Sequence, residues 1–213
     1  MDHWDPALVN ALAARRPVVL LDNAGVGSSG GEVPTSYAGW AQNVVDLLAA
    51  LRHDRVDLFG FSMGGCAAQM VALNAPGLVR RLVLAGTSPS TGPGVKQYRT
   101  REELAAFARL SGAATDEEQR EGFLRCFFSA TTRSQEAGAR AWARIAAGRP
   151  GTTRTPHVPP AGSKRQGIAF AKFMDPKQAK DASYERLGEI QIPVLIAGGK
   201  FIELSGCLLG AGL

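Results

Sequence analysis

Ser62 stands between two glycines in Gly60-Phe61-Ser62-Met63-Gly64, with an apolar run before it and an alanine-rich run after it. A serine at that spacing can serve as a nucleophile toward a carbonyl carbon. The glycines permit a tight strand-to-helix turn, because a Cβ at either position would collide with the adjoining backbone. Such a turn lifts the Ser62 hydroxyl above a sheet and leaves the Met63 N–H at a helix N-terminus, where it can donate to an oxyanion. The chemistry implied is acyl transfer through a covalent serine intermediate. A serine hydroxyl is a poor nucleophile near neutral pH, so it also needs a general base, and the base needs an orienting carboxylate. The three histidines are His3, before the first helix, His53, in a polar turn, and His157, in a proline-rich loop. Each reads as an ordinary surface histidine, and His157 approaches a cleft only if its loop folds inward.

The elements that must position Ser62 follow from the apolar pattern. Val56 to Phe61 reads as a buried parallel strand, and Cys66 to Leu73 as a helix stopped by Pro76. Upstream, Asp5 caps a helix that opens at Pro6 and ends at Arg15-Arg16-Pro17. Val18-Val19-Leu20-Leu21-Asp22 reads as a strand buried on both faces, leading into a glycine-rich loop from Asn23 to Gly31. Trp40, Val44, Leu47, Leu48 and Leu51 recur at helical spacing behind a Ser36 cap. Leu82 to Gly86 and Pro193 to Gly199 give two further strands. The alternation is that of a doubly wound α/β sheet. From about Thr100 the character changes to successive helices: Thr100-x-x-Glu103 and Thr115-x-x-Glu118 are capping boxes, and Leu104/Phe107/Leu110, Leu124/Phe127/Phe128 and Trp142/Ile145 mark apolar stripes. Residues 148–162 read as loop, followed by short helices around Ile168–Phe173 and Tyr184–Leu187. The expected division is a sheet-bearing core of residues 1–94 and 188–213, with a helical cap at 95–187.

Composition narrows the class. At 213 residues with 45% hydrophobic and 20% charged residues, the chain can bury an ordinary globular core. No apolar run approaches the roughly 18 residues of a spanning helix, and the start shows no secretory pattern, so a cytoplasmic location and no membrane partner are expected. Cys66, Cys126 and Cys207 are odd in number and not at metal spacing, and read as buried free thiols. The net charge of +5 is spread over isolated pairs such as Arg15-Arg16, Arg80-Arg81 and Lys164-Arg165, without interleaved aromatics. That is a solvated surface rather than a nucleic-acid patch.

Asp22-Asn23-Ala24-Gly25-Val26-Gly27-Ser28-Ser29, Gly60-Phe61-Ser62-Met63-Gly64-Gly65 and Ile192-Pro193-Val194-Leu195-Ile196 together resemble the α/β-hydrolase superfamily, and within it the small lid-bearing hydrolases and cofactor-free haloperoxidase-like esterases. The likeness runs from about Asp5 to about Gly198. It implies an α/β-hydrolase core with a helical cap, a Ser62 nucleophile, Met63 as backbone oxyanion donor, no cofactor or metal, and a small ester- or amide-type substrate. The cap aromatics Phe127, Phe128 and Trp142 would line an apolar pocket over Ser62, beside the equally available reading that they are plain core.

The resemblance also marks departures. The family acid belongs in the loop after the Pro193–Ala197 strand, where Ile202 stands and Glu203 is a poor substitute. The other acid position in the family holds Gly86-Thr87-Ser88. The family histidine follows further strand and loop beyond Leu213, and a strand and H-G-type oxyanion loop precede the equivalent of Asp5. The chain therefore reads as truncated at both ends, with a tail after Lys200 that bears no family likeness. It is expected to be nearly inert as written, and marginally stable because a central strand position is vacant. A rival reading is a non-catalytic binding remnant. Gly25-x-Gly27-x-x-Gly30 raises a dinucleotide-binding alternative, which fits poorly because Asn23-Ala24 intervene before the first glycine and Pro34 blocks an immediate helix. The sequence leaves the oligomeric state open.

Overall fold

A computed structural model describes residues 2–95, 115–148 and 158–198, with 105, 109–110 and 112–113 between them. The chain divides into two compact units, one of Met1–Gly31 with Arg99–Pro160 and one of Glu32–Tyr98 with Ala161–Leu213.

The second unit carries the sheet. Its elements are α2 (Tyr37–Ala50), β1 (Val56–Phe61), α3 (Met63–Asn74), β2 (Val79–Ala85), α6 (Pro160–Phe173, of which Pro160 falls in the first unit) and β3 (Val194–Ala197). Three parallel strands lie in the order β1-β2-β3, with Gly60 opposite Leu84, Phe61 opposite Ala85, and Leu82 opposite Val194. Of the stripe predicted for α2, Trp40, Val44 and Leu48 are buried, together with Tyr37 and Ala41, whereas Leu47 is half-buried and Leu51, at the C-cap, is 45% exposed; Ser36 Oγ accepts from Gly39 N at the start of the helix. Helix α3 is buried continuously from Gly65 to Leu73, as a helix apolar all round must be.

Two polar ties fix the ends of these helices. Trp40 Nε1 donates to Pro34 O at 2.8 Å, holding the entry to α2. Arg186 donates to Leu73 O at 3.2 Å and to Asn74 Oδ1 at 2.9 Å, supplying donors to the last turn of α3 where backbone carbonyls lack helical partners. Its charge is matched by Glu189 at 2.9 Å. The aromatic rings of Tyr37 and Phe173 meet edge to face at 5.0 Å, joining α2 to α6.

Gly60 decides how closely β1 can approach α3. A Cβ there would stand 2.6 Å from Gly64 O and from Gly65 Cα, and 2.8 Å from Ala68 Cβ. Two of those three obstacles are backbone, so nothing can swing aside. By contrast a Cβ at Gly77 meets nothing within 4 Å, and neither does one at Gly64, so the collision expected at both elbow glycines holds at Gly60 alone.

The first unit contains α1 (Pro6–Ala13), α4 (Asp116–Phe127) and α5 (Thr132–Ala147). Asp5 caps α1 through a hydrogen bond from Ala7 N at 2.9 Å, and its carboxylate takes a bidentate pair from Arg144 of α5 at 2.8 and 2.6 Å. The Thr115/Glu118 capping box opens α4, as the sequence predicts. The Thr100/Glu103 box and most of the Leu104–Leu110 stripe fall outside the described residues.

Two expectations need correction. Residues 18–22 form no strand, and Val19 is 47% exposed. A strand exists only through a ladder, and none of the three strands pairs with this run. The run instead feeds a self-closed loop, in which Gly25 N donates to Gly30 O and Ser29 Oγ donates to Asp22 O at 2.7 Å. Gly27 sits there at φ +59°, and a side chain on it would run into the Asp22 carboxylate. Second, β1 and β3 are the two edges of the sheet. β3 is exposed along its whole length, with Leu195 61% open, whereas a parallel strand is ordinarily covered on both faces.

Two outcomes check this account. Gly60→Ala should destabilise the protein by about 3 kcal/mol in urea unfolding, whereas Gly77→Ala should change little. The Arg144 hydrogen bonds, the largest influence on Asp5, hold its carboxyl below its ordinary value of 3.8. A depressed folded-state pKa stabilises above the unfolded value and loses that contribution as pH falls through the folded one. Asp5→Asn should therefore cost no more than about 1 kcal/mol at pH 7, and the difference from the wild type should shrink as pH falls below 3.8 and vanish once Asp5 is protonated in the folded state.

Candidate active site

Ser62 joins β1 to α3 as the N-cap of the helix, with φ 51° and ψ −123°. It is one of two non-glycine residues at positive φ among those described, with Arg52. A serine in that region costs of order 1–3 kcal/mol and persists only where its surroundings over-determine it. Here they do. Ser62 N donates to Ala85 O at 3.0 Å, tying the turn to the end of β2, and Ser62 O accepts from Gly65 N at 2.8 Å and from Cys66 N at 3.4 Å. The hydroxyl makes no capping bond, so it is not spent on the helix.

Met63 is the first residue of α3. Its N–H has no acceptor among the described residues, as expected of the first turn of a helix. An unpaired amide beside a half-buried hydroxyl can donate to an oxygen that becomes negative when the hydroxyl adds to a carbonyl. The Ser62 hydroxyl and the Met63 N–H thus stand at the same turn.

The turn is braced from behind by residues that the motif does not name. Gln69, buried on α3, donates through Nε2 to Ser88 O at 3.0 Å and to Gly65 O at 3.3 Å. The Cys66 thiol lies 3.6 Å from Thr87 Oγ1 and 3.8 Å from Ser88 O. Together they bind the segment after β2 to the first turn of α3. The one signal in the sequence is a glutamine inside the otherwise apolar run from Cys66 to Leu73. Burial pushes the Cys66 thiol up to about 11. It is a neutral packing group near pH 7. Cys126 is also a free buried thiol raised to about 11 by burial, and Cys207 lies outside the described residues.

Glu203 and His157 fall outside the described residues. His53 is exposed beyond α2, its backbone N–H bonded to Leu48 O, and His3 lies before α1 in the first unit. Phe127, Phe128 and Trp142 belong to the first unit, where they gather on Phe123 with ring centroids 5.4 to 5.5 Å away. Among the described residues, no three His, Cys, Asp or Glu side chains are grouped as metal ligands, and no helix is long and apolar enough to cross a membrane.

Comparison with known proteins identifies the family. Residues 1–200 match the alpha/beta hydrolase fold family. The chain is 34% identical over 84 residues to "Putative carbamate hydrolase RutD" of Rhizobium rhizogenes, covering 38% of this chain and 32% of that protein. It is 33% identical over 104 residues to the protein of the same name from Serratia proteamaculans, covering 47% and 39%. An alpha/beta hydrolase fold protein from Chitinophaga pinensis superposes with a TM-score of 0.73 at 25% identity, covering 92% of this chain and 65% of that one. The matches thus span about a third of the curated relatives' length and under two thirds of the structural neighbour's. With the family matched over nearly the whole chain and its strand-turn-helix built around Ser62, this protein belongs to the alpha/beta hydrolase fold family.

Proposed function

We propose that Ser62 is the nucleophile of a serine hydrolase acting on a small acyl substrate, an ester, amide or carbamate. The strained backbone of Ser62, φ 51° with its hydroxyl left out of the helix cap, is the observation that carries this reading. A residue held in a costly conformation, with its reactive atom unspent, is what a positioned nucleophile requires. The carbamate is included because it is named in the RutD relatives.

In the proposed reaction the Ser62 oxygen adds to the substrate carbonyl carbon while its proton passes to a base. Met63 N–H donates to the carbonyl oxygen as it becomes an oxyanion. Collapse expels the alcohol or amine, which takes up the proton, and water then cleaves the Ser62 acyl ester to release the acid. The core is assigned to residues 1–94 and 188–213 and the cap to 95–187, with Phe127, Phe128 and Trp142 facing the substrate and the protein residing in the cytoplasm.

The chain is further proposed to turn over slowly. Among the described residues, the Ser62 hydroxyl hydrogen-bonds to no side chain. Sites that lose their base keep only about 10³ to 10⁴ over water. The same observation favours a second reading, a binding protein that retains the cleft without the chemistry.

A fluorophosphonate probe separates the two. Labelling is expected to be slow, to require folded protein and to disappear in Ser62→Ala, whose circular dichroism should match the wild type. Unlabelled wild type, or equal labelling of Ser62→Ala, would remove the hydrolase reading.

A further inference from the structure

At the end of α3 remote from the elbow lies a cavity of about 310 Å³, within the second unit. Its volume lies at the lower end of the range for small-molecule sites, roughly 300–1,000 Å³. A helix of twelve residues separates its ends by about 18 Å, so a ligand here would not touch Ser62. The apolar part of the wall is Tyr37, Met70 and Phe173. All three are buried, and Tyr37 and Phe173 are locked edge to face at 5.0 Å.

The polar part of the wall has an imbalance. Lys172 donates once, to Thr35 Oγ1 at 3.3 Å, and pairs with no carboxylate among the described residues. An ammonium has three donors and no acceptor, so two remain. Asn74 spends its Oδ1 on Arg186 and retains Nδ2. Ser36 spends its oxygen on Gly39 N and retains the hydroxyl proton. Arg186 adds rigidity but little charge, because Glu189 neutralises it. The nearby Asp175 carboxylate is occupied by Lys177 N at 2.9 Å and Gln178 Nε2 at 3.1 Å. The named side chains keep acceptor capacity at Gln178 Oε1 and in second lone pairs on Ser36 Oγ and Asn74 Oδ1, and what distinguishes the wall is its free donors, one of them cationic. Such a wall suits an acceptor-only, negatively charged group rather than a neutral amide, which must also place its own N–H donors.

We propose that this cavity is a second binding site, distinct from the elbow, for a small organic carboxylate with an apolar body. The carboxylate is held by Lys172 Nζ, Asn74 Nδ2 and the Ser36 hydroxyl, with the apolar body against Tyr37, Met70 and Phe173.

Benzoate and its neutral isostere benzamide test this by calorimetric titration of the full chain and of Lys172→Gln, a change at an exposed position whose circular dichroism should match the wild type. Benzoate is expected to bind the wild type at least tenfold more tightly than benzamide, to weaken at least tenfold in Lys172→Gln, and to weaken as salt rises. It should leave the rate of fluorophosphonate labelling at Ser62 unchanged, and the binding arm stands whether or not Ser62 is labelled at all. No benzoate binding, equal binding of the two probes, or undiminished benzoate binding by Lys172→Gln would overturn the proposal. So would loss of Ser62 labelling on adding benzoate.

Discussion

The contact between β1 and α3 at Gly60 is the constraint on which the rest of the sheet-bearing unit depends. With no Cβ at that point, the helix backbone comes down onto the strand, and the chain has a single residue in which to turn from one to the other. That residue is Ser62, and its positive φ follows from the lack of space. The bond from Ser62 N to Ala85 O then ties the turn to β2, and the bonds from Gly65 N and Cys66 N to Ser62 O tie it to α3. Gln69 and Cys66 extend the same bracing to Thr87 and Ser88. The Ser62 backbone is thus fixed by packing and by its own amide and carbonyl rather than by any bond its hydroxyl makes.

Features that depend on a few neighbouring residues were readable in the sequence. The boundaries of β1 fall where the apolar run begins and ends, the caps at Asp5, Ser36 and Thr115 operate as their residue types suggest, and Trp40, Val44 and Leu48 of the α2 stripe are buried. The family could be named because the elbow is such a local feature. Val18 to Asp22 shows the limit. Its composition suits a buried strand, but composition cannot supply the partner that makes a strand, and the run pairs with none of β1, β2 or β3. The bracing by Gln69 was hidden for the same reason, since its acceptor on Ser88 lies across the fold.

The basic residues show what a net charge conceals. Arg80 pairs with Asp57 between β2 and β1, Arg144 with Asp5 between α5 and the start of α1, Arg165 with Glu32, and Arg186 with Glu189 while closing the end of α3. Each exposed pair adds little stability alone. Arg186 and Glu189 are three residues apart, and it is the bonds of Arg186 to Leu73 and Asn74 that reach across the sequence; the other pairs join distant elements directly, and the planar fork of arginine suits such positions.

The parallel sheet also sets an order of events in time. β1, α3 and β2 are consecutive, so they can assemble as soon as Ala85 has been synthesised. The β2–β3 ladder joins Leu82 to Val194 and Ala85 to Ala197, and must wait for every residue between them. Pairings across such separations form late and slowly, because loop closure is opposed by chain entropy before any contact repays it. Through that interval the apolar outer edge of β2 stands open to any passing strand, so the elbow is built early while its neighbour across the sheet is the last to be protected.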